Sequence, residues 1–500
     1  MNKVLVDFRQ SKGRINRNIY GHFAEHIGGV FYDGLWVGED SGVEHVNGFR
    51  KKLVDSFRAI NPPVLRWPGG CFAETYDWRD GIGPRGERPT RINWWYSHDK
   101  RTEPNHVGTH EFIQFCRLVG AEPYIAANMT SVTPLHIRNW VEYCNVPQGL
   151  SSLALEREKN GAPQPFDVVY WGIGNENWGG GGQMTPEGCA DEFIRYSTVI
   201  NSLDKGKLKF IMCGANGHDI EWTRRLMQAY ASRKWHEAKA YGMSVHYYCG
   251  KAGNPTAFTE DEWYQQLLQA DFMQQVLDDH RAAMNEFDLS REIGLVVDEW
   301  GCWHPDGSGP SRGYNLFEQQ STMRDAVVAA MTLNMFNNRC DSVVMANVAQ
   351  LCNNLHSLYL AGGPHFVETP NYHVFNMFKG HQDGRHLHVS LAAPVYEKEG
   401  YEPLSLLSAS ASEKAGTVTL SLVNLSVTES RTVVLDSIGR PLGGQANVAV
   451  LSATDPRAHN TFENPTNVAP TTYTLDLTSQ PQVDLPAASV VVLTIADAAP

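Results

Sequence analysis

The sequence predicts an α/β protein, a (β/α)8 TIM barrel with a C-terminal antiparallel β-sandwich of jelly-roll-like form. Three observations carry this reading. Apolar runs of strand length alternate with longer stretches of helical periodicity through the first three-quarters of the chain. Eight such runs can be distinguished, the number that closes a barrel of β–α repeats. From about Leu387 the helical pattern stops, and short β-rich runs alternate with clusters of Gly, Pro, Asn and Asp.

The eight barrel strands read, in order, as Ile19–Phe23, Val64–Trp67, Tyr124–Asn128, Val168–Ile173, Phe210–Cys213, Ser244–Tyr247, Ile293–Asp298 and Ser342–Asn347. Between them, His110–Leu118, Pro186–Leu203, Glu260–Phe287 and Gln319–Asn338 place apolar residues at helical spacing. Right-handed crossovers would close the strands into a barrel, while a doubly wound sheet is the alternative that the same alternation allows. In the last quarter Thr417–Leu425, Thr432–Leu435, Asn447–Leu451, Thr472–Leu477 and Ser489–Ile495 read as sandwich strands. Lys3–Phe8 is an isolated strand ahead of the barrel that could pair into that sandwich. The expected division is 17–385 for the barrel and 1–16 with 386–500 for the sandwich.

Composition bounds the function. Five hundred residues exceed one ordinary domain of roughly 100–200 residues. At 42% hydrophobic and 19% charged, the chain can bury substantial cores. A net charge of −13 argues against a nucleic-acid surface, which needs clustered Lys and Arg. No uninterrupted apolar run approaches the roughly 20 residues of a membrane span. Met1 to Asp7 carry no apolar signal-peptide core, and the nine cysteines are odd in number and lack CxxC spacing. Reduced thiols in a cytoplasmic protein are therefore expected. Thirteen Trp and 19 Tyr supply flat rings with a polar edge, which suit sugar faces as well as cores.

In a barrel the loops beyond the C-terminal strand ends build the active site. The fourth run continues Gly172-Ile173-Gly174-Asn175-Glu176-Asn177-Trp178, and the seventh ends Val296-Val297-Asp298-Glu299-Trp300. Each closes an apolar run with a Glu close to a Trp. A carboxylate at such a position is costly unless paired or used, and two at barrel mouths would oppose each other. Glycoside hydrolysis needs two carboxyl groups in different protonation states, about 5–5.5 Å apart for retention or about 6.5–9.5 Å apart for inversion.

Asn-Glu after strand four with a Glu closing strand seven resembles the retaining barrel glycosidases of clan A. Leu65-Arg66-Trp67-Pro68-Gly69-Gly70-Cys71-Phe72 and Tyr76-Asp77-Trp78-Arg79-Asp80-Gly81-Ile82-Gly83-Pro84 are similar to motifs of glycoside hydrolase family 51. So are Tyr20-Gly21-His22-Phe23-Ala24-Glu25-His26 and Ala346-Asn347-Val348-Ala349-Gln350-Leu351. The likeness spans essentially the whole chain.

The resemblance implies an exo-acting α-L-arabinofuranosidase on arabinoxylan, arabinan or their oligosaccharides, with no cofactor or metal and with a hexameric assembly. It implies Glu176 as acid/base and Glu299 as nucleophile, with Asn175 on the sugar's 2-hydroxyl. It implies His246 near the acid/base, Tyr248 on the nucleophile, and Glu25 and Gln350 on arabinose hydroxyls. Arg66, ending strand two, would supply the opposite charge that keeps an attacking carboxylate ionised. Cys71 departs from one branch of the family, which has Asn there; a thiol is the weaker hydrogen-bonding group, so Cys71 is expected to wall the subsite. Trp94, Trp95, Trp178 and Trp300 could offer rings to the sugar or serve in packing.

Other signals are declined. Gly172-Ile173-Gly174 lacks the third glycine of a dinucleotide fingerprint, where Asn177 stands. His106 and His110 have no intervening zincin Glu, and Gly179–Gly182 has no Lys-Ser/Thr after it. Two competing functions remain at this level: an endo-acting β-glucanase or xylanase of the same family, and a catalytically silent carbohydrate-binding protein.

Overall fold

The computed structural model describes residues 2–203, 206–233, 238–250, 252–479 and 481–496. The chain begins with strand β1 (Asn2–Asp7) and a 3-10 turn over Arg17–Tyr20. There follow β2 (Gly21–Phe23), β3 (Val64–Trp67), β4 (Glu122–Ala127), β5 (Tyr170–Ile173), β6 (Lys209–Asn216), β7 (Ala240–Gly250), β8 (Gly294–Trp303) and β9 (Val343–Ala349). Strands β2 to β9 close into a barrel in chain order. β3 and β5 are buried at every residue, as parallel strands covered on both faces must be, which explains why they are apolar except at Arg66.

The intervening helices start where short polar side chains can satisfy free N–H groups. Thr133, Thr185 and Asp219 accept from a backbone amide in the first turn, and Pro134 and Pro186 occupy helix positions that need no N–H. Thr259 with Glu262, and Thr322 with Asp325, form reciprocal capping pairs. The stretch read as one helical pattern over Glu260–Phe287 is two helices, Glu260–Asp271 and Met273–Asn285. The Phe272 amide still bonds Leu268 O at 3.2 Å, so the interruption is brief. β7 and β8 run beyond their apolar segments, because ladder pairing uses backbone groups whatever the side chain.

Eight later strands build the second sheet system: β10 (Arg385–Ala392), β11 (Leu407–Lys414), β12 (Thr417–Asn424), β13 (Arg431–Ile438), β14 (Gln445–Leu451), β15 (Thr471–Asp476), β16 (Gln482–Leu485) and β17 (Ser489–Ala496). Their order is β15-β14-β17-β12-β11-β10-β1-β13-β16. β10 pairs through Arg385–Leu387 with β11 and through His388–Ala392 with β1, carrying the chain from one leaf to the other. Alternate residues from both leaves, Val4 and Val6, Leu420 and Leu422, Val433 and Leu435, Val491 and Leu493, form one buried core. The sheet departs from the expected all-antiparallel arrangement at one pair, because β1 runs parallel to β13 from Asn2↔Val433 to Asp7↔Ile438. β1 arrives from the other end of the chain, so no hairpin dictates its direction.

By internal packing the chain divides into two compact units. One is Gly21–Tyr247 with Val276–Glu299; the other is Met1–Tyr20, Tyr248–Gln275 and Trp300–Pro500. Within the second, the helix Met323–Asn337 is buried on every side. Its Asn334 bonds Ser408 and Ser421, and Asn337 bonds Ser410, so these two buried amides are satisfied by sandwich strands. Among the described residues, no helix is long and apolar enough to cross a membrane.

Candidate active site

Within Gly21–Tyr247 and Val276–Glu299, four strand ends bring charge together. β3 presents Arg66, the turn after β5 presents Asn175 and Glu176, β7 presents His246, and β8 presents Asp298 and Glu299. Arg66 is buried and donates through Nη1 to Glu299 Oε1 at 2.8 Å and through Nη2 to Asn175 Oδ1 at 2.6 Å. Its Nε lies 3.4 Å from Asp298 Oδ2. One guanidinium therefore orients both the Glu299 carboxylate and the neighbouring amide.

His246 is the hub. Its Nδ1 stands 2.9 Å from Glu176 Oε1 and 3.5 Å from Glu299 Oε2, while Nε2 stands 3.0 Å from Asp298 Oδ1. Asp298 Oδ2 also accepts from Tyr124 Oη at 2.8 Å. Burial disfavours the imidazolium, but the charges of Glu299 and Asp298 and the hydrogen bonds of Asp298 and Glu176 outweigh it, raising His246 well above its usual value. Burial pushes the Glu176 carboxyl upward, yet the hydrogen bond and charge of His246 reverse this and hold it below the ordinary carboxylate value. Together the two shifts favour an ion pair of His246 with Glu176.

Glu176, His246 and Glu299 each offer one ligand atom within 4.8 Å of the others. In the other unit Cys302, His304 and Asp325 are as closely grouped, but His304 Nε2 meets Asp325 Oδ1 at 2.7 Å in a buried pair at the start of the Met323–Asn337 helix.

The turn that carries Glu176 is unusual. Glu176 has φ +44°, a left-handed conformation that costs a side-chain-bearing residue about 1–2 kcal/mol. Gly174 before it has φ +86°, and a Cβ there would lie 2.1 Å from Asn177 Oδ1, so only glycine fits. The buried Glu74 carboxylate accepts from Asn175 N at 2.7 Å and Asn177 Nδ2 at 2.9 Å. Its other oxygen accepts from Met129 N at 2.7 Å and Thr130 N at 2.9 Å beyond β4.

Cys71 donates its thiol hydrogen to Glu176 Oε2 at 3.5 Å and accepts from Asn175 Nδ2 at 3.9 Å. Burial, and then the charges of Glu176 and Glu25, push the thiol far above its usual pKa, which argues against a nucleophilic thiolate. A Cβ at Gly180 would meet Cys71 Sγ at 3.0 Å and Trp94 at 3.5 Å, which places Trp94 beside the same wall. Glu25 Oε1 accepts from Phe72 N at 3.0 Å and Trp95 Nε1 at 2.9 Å. Burial and the Glu299 charge raise the Glu25 pKa to about 8.

The remaining expected residues divide. Trp178 follows the Glu176 turn and is partly exposed. Tyr248, Trp300 and Gln350 fall in the other compact unit. Tyr248 is partly exposed and sets its ring edge against Trp303 at 5.1 Å. Gln350 is buried. Trp300 is buried among Phe336, His356 and Phe375 and serves in packing. Sequence reasoning missed Asp298, Tyr124 and Glu74. Strict strand alternation turns Asp298 away from the face of Glu299, yet both reach Arg66 and His246. Glu74 carried a signal, an acidic residue inside the otherwise uncharged Gly-Gly-Cys-Phe-Ala-Glu segment.

Comparison with known proteins agrees with this geometry. The Alpha-L-arabinofuranosidase 1 domain family matches residues 56–253, and the Alpha-L-arabinofuranosidase C-terminal domain family matches residues 298–489. An intracellular exo-alpha-L-arabinofuranosidase of Bacteroides ovatus is 37% identical over 497 residues, covering 98% of this chain and 95% of that protein. The GH51 arabinofuranosidase of Xanthomonas axonopodis pv. citri superposes with a TM-score of 0.91 at 36% identity, over 99% of this chain and 100% of that one. The Thermotoga maritima alpha-L-arabinofuranosidase, solved as an arabinose complex, gives 0.87 at 28% identity over 99% and 100% of the two chains. With a barrel, a following sandwich and two glutamates meeting one histidine, the chain belongs to the α-L-arabinofuranosidases of glycoside hydrolase family 51.

Proposed function

We propose that this arabinofuranosidase is exo-acting and retaining, with Glu299 as nucleophile and Glu176 as acid/base. The observation that carries the reading is the bridging of both carboxylates by His246, with their nearest ligand atoms within 4.8 Å. That spacing supports a carboxylate that attacks carbon directly, since inversion needs room for water at about 6.5–9.5 Å. Arg66 on Glu299 supports its role as the ionised partner.

In the first half-reaction, Glu299 Oε attacks the anomeric carbon as the bond to the leaving oxygen breaks. Glu176 gives that oxygen a proton, which it draws from His246 Nδ1. As Glu299 forms the ester it loses the negative charge that held the imidazolium, so the proton leaves His246 when it is needed. In the second half-reaction Glu176 takes a proton from water and passes it back to His246 Nδ1, the hydroxide oxygen bonds the anomeric carbon, and Glu299 departs as a carboxylate. Asn175, fixed by Arg66, supports a hydrogen bond to the 2-hydroxyl that strengthens in the transition state. Glu25 and Cys71 are assigned to the arabinose subsite, and Trp94, Trp95 and Trp178 to its rim; Tyr248 and Gln350 are assigned to substrate binding by the family resemblance alone.

The substrates are terminal arabinofuranosyl groups of arabinoxylan, arabinan or their oligosaccharides, and no cofactor takes part. Nine buried cysteines that form no disulfide and the intracellular Bacteroides ovatus relative support a cytoplasmic setting, and the family resemblance supports a homohexamer. Glu299→Ala should abolish turnover, and azide should restore an arabinosyl azide of inverted configuration from an activated aryl arabinofuranoside. Glu176→Ala with azide should yield the retained configuration. Proton NMR of the two products reads the roles, and exchanged configurations would exchange the assignments. Single arabinose units released from arabinan, without a ladder of shortened chains, separate exo from endo action.

A further inference from the structure

We propose that Glu74 is the positioning residue of the acid/base, a clamp that holds Glu176 in the backbone conformation from which it meets His246; this rests on the assignment of Glu176 above. Glu74 is buried, and its two oxygens accept four hydrogen bonds, two from the ends of each of two strands. Oε1 takes Asn175 N and the Asn177 side chain, the residues immediately before and after Glu176. Oε2 takes Met129 N and Thr130 N, tying the turn to the end of β4.

Between those two anchors lies the left-handed Glu176 backbone. An isolated glutamate would relax from that region to an extended or right-handed one, swinging its carboxyl away from the imidazole. Fixing both neighbours to one oxygen removes that freedom. The chemistry demands a carboxylate. All four partners are N–H donors, and an ionised carboxylate accepts four hydrogen bonds while offering none back. A glutamine would aim its NH2 group at two donors.

A clamp on the acid/base has a signature that general damage lacks. It matters in proportion to how much the leaving oxygen needs a proton. The experiment measures kcat/KM, which reports the arabinosylation step, on a series of aryl arabinofuranosides, for Glu176→Ala, Glu74→Gln and Asn177→Ala. Glu74→Gln is expected to lose about 30-fold or more on phenols of pKa about 10, and at most about threefold on a dinitrophenol of pKa about 4. Asn177→Ala removes one arm of the clamp and should show a smaller loss with the same slope. It carries the test if the unfolding midpoint shows that Glu74→Gln does not fold. Losses in both clamp variants that are equal across leaving groups, with a steep slope in Glu176→Ala, overturn the inference alone. A flat slope in Glu176→Ala overturns the acid/base assignment and the clamp with it.

Discussion

Glu25 is buried beside Glu299, with its accepting oxygen already committed to Phe72 N and Trp95 Nε1. With its pKa raised to about 8, it is a neutral acid across the neutral range. Above that pH it becomes a second anion whose charge acts on Glu299. kcat/KM should therefore fall as pH rises through about 8. Glu25→Gln keeps an amide donor without a titration, so it should lose that alkaline limb while keeping part of the activity. A limb that persists unchanged in the variant would assign it to another group. His246 illustrates the same rule with opposite sign: three carboxylates within hydrogen-bonding or ion-pair reach hold a buried imidazole protonated against its own desolvation.

At the level of the element, the turn after β5 is shaped by which glycines can accept a side chain. A Cβ on Gly181 would lie 1.7 Å from Asn175 O, a backbone atom that can yield only by moving the catalytic turn. A Cβ on Gly179 would meet nothing closer than Glu176 O at 3.8 Å, an ordinary contact. Gly181→Ala should thus lower kcat by about 100-fold, the usual cost of misplacing a catalytic group by about 1 Å. Gly179→Ala should stay within about threefold of the parent by the same reasoning. Steady-state kinetics on one aryl arabinofuranoside compares the pair, and equal effects would show that the turn tolerates displacement. β8 makes a related point: Asp298 and Glu299 are sequence neighbours on a strand, yet both serve one site, which plain alternation forbids.

On the scale of the whole chain, the sandwich depends on its N-terminal strand meeting strands nearly 400 residues or more away. β1 lies between β10 and β13, so removing residues 1–7 would bare two strand edges and take Val4 and Val6 out of the core. Losing two buried valines at about 1.5–3 kcal/mol each should lower the unfolding midpoint by on the order of 10 °C. It should also promote association through the open edges. Scanning calorimetry with light scattering checks this, and an unchanged midpoint would show that β1 is dispensable. The eight barrel strands were legible because each is a short, covered apolar run with a helix after it. The parallel direction of β1 was not, because no local turn encodes it.

Periodicity and chain order, which are local properties, sufficed to read the barrel, the following sandwich and the two glutamates that end the fourth and seventh barrel strands. What only the tertiary structure decided is who meets whom across the chain. Arg66 reaches Glu299 and Asn175, His246 joins Glu176 to Asp298, Glu74 accepts from Asn175 and Asn177, and Trp300 packs against Phe336. Proton affinities follow the same division. They depend on burial and on charges a few ångströms away, and those distances exist only once segments far apart in sequence are packed side by side.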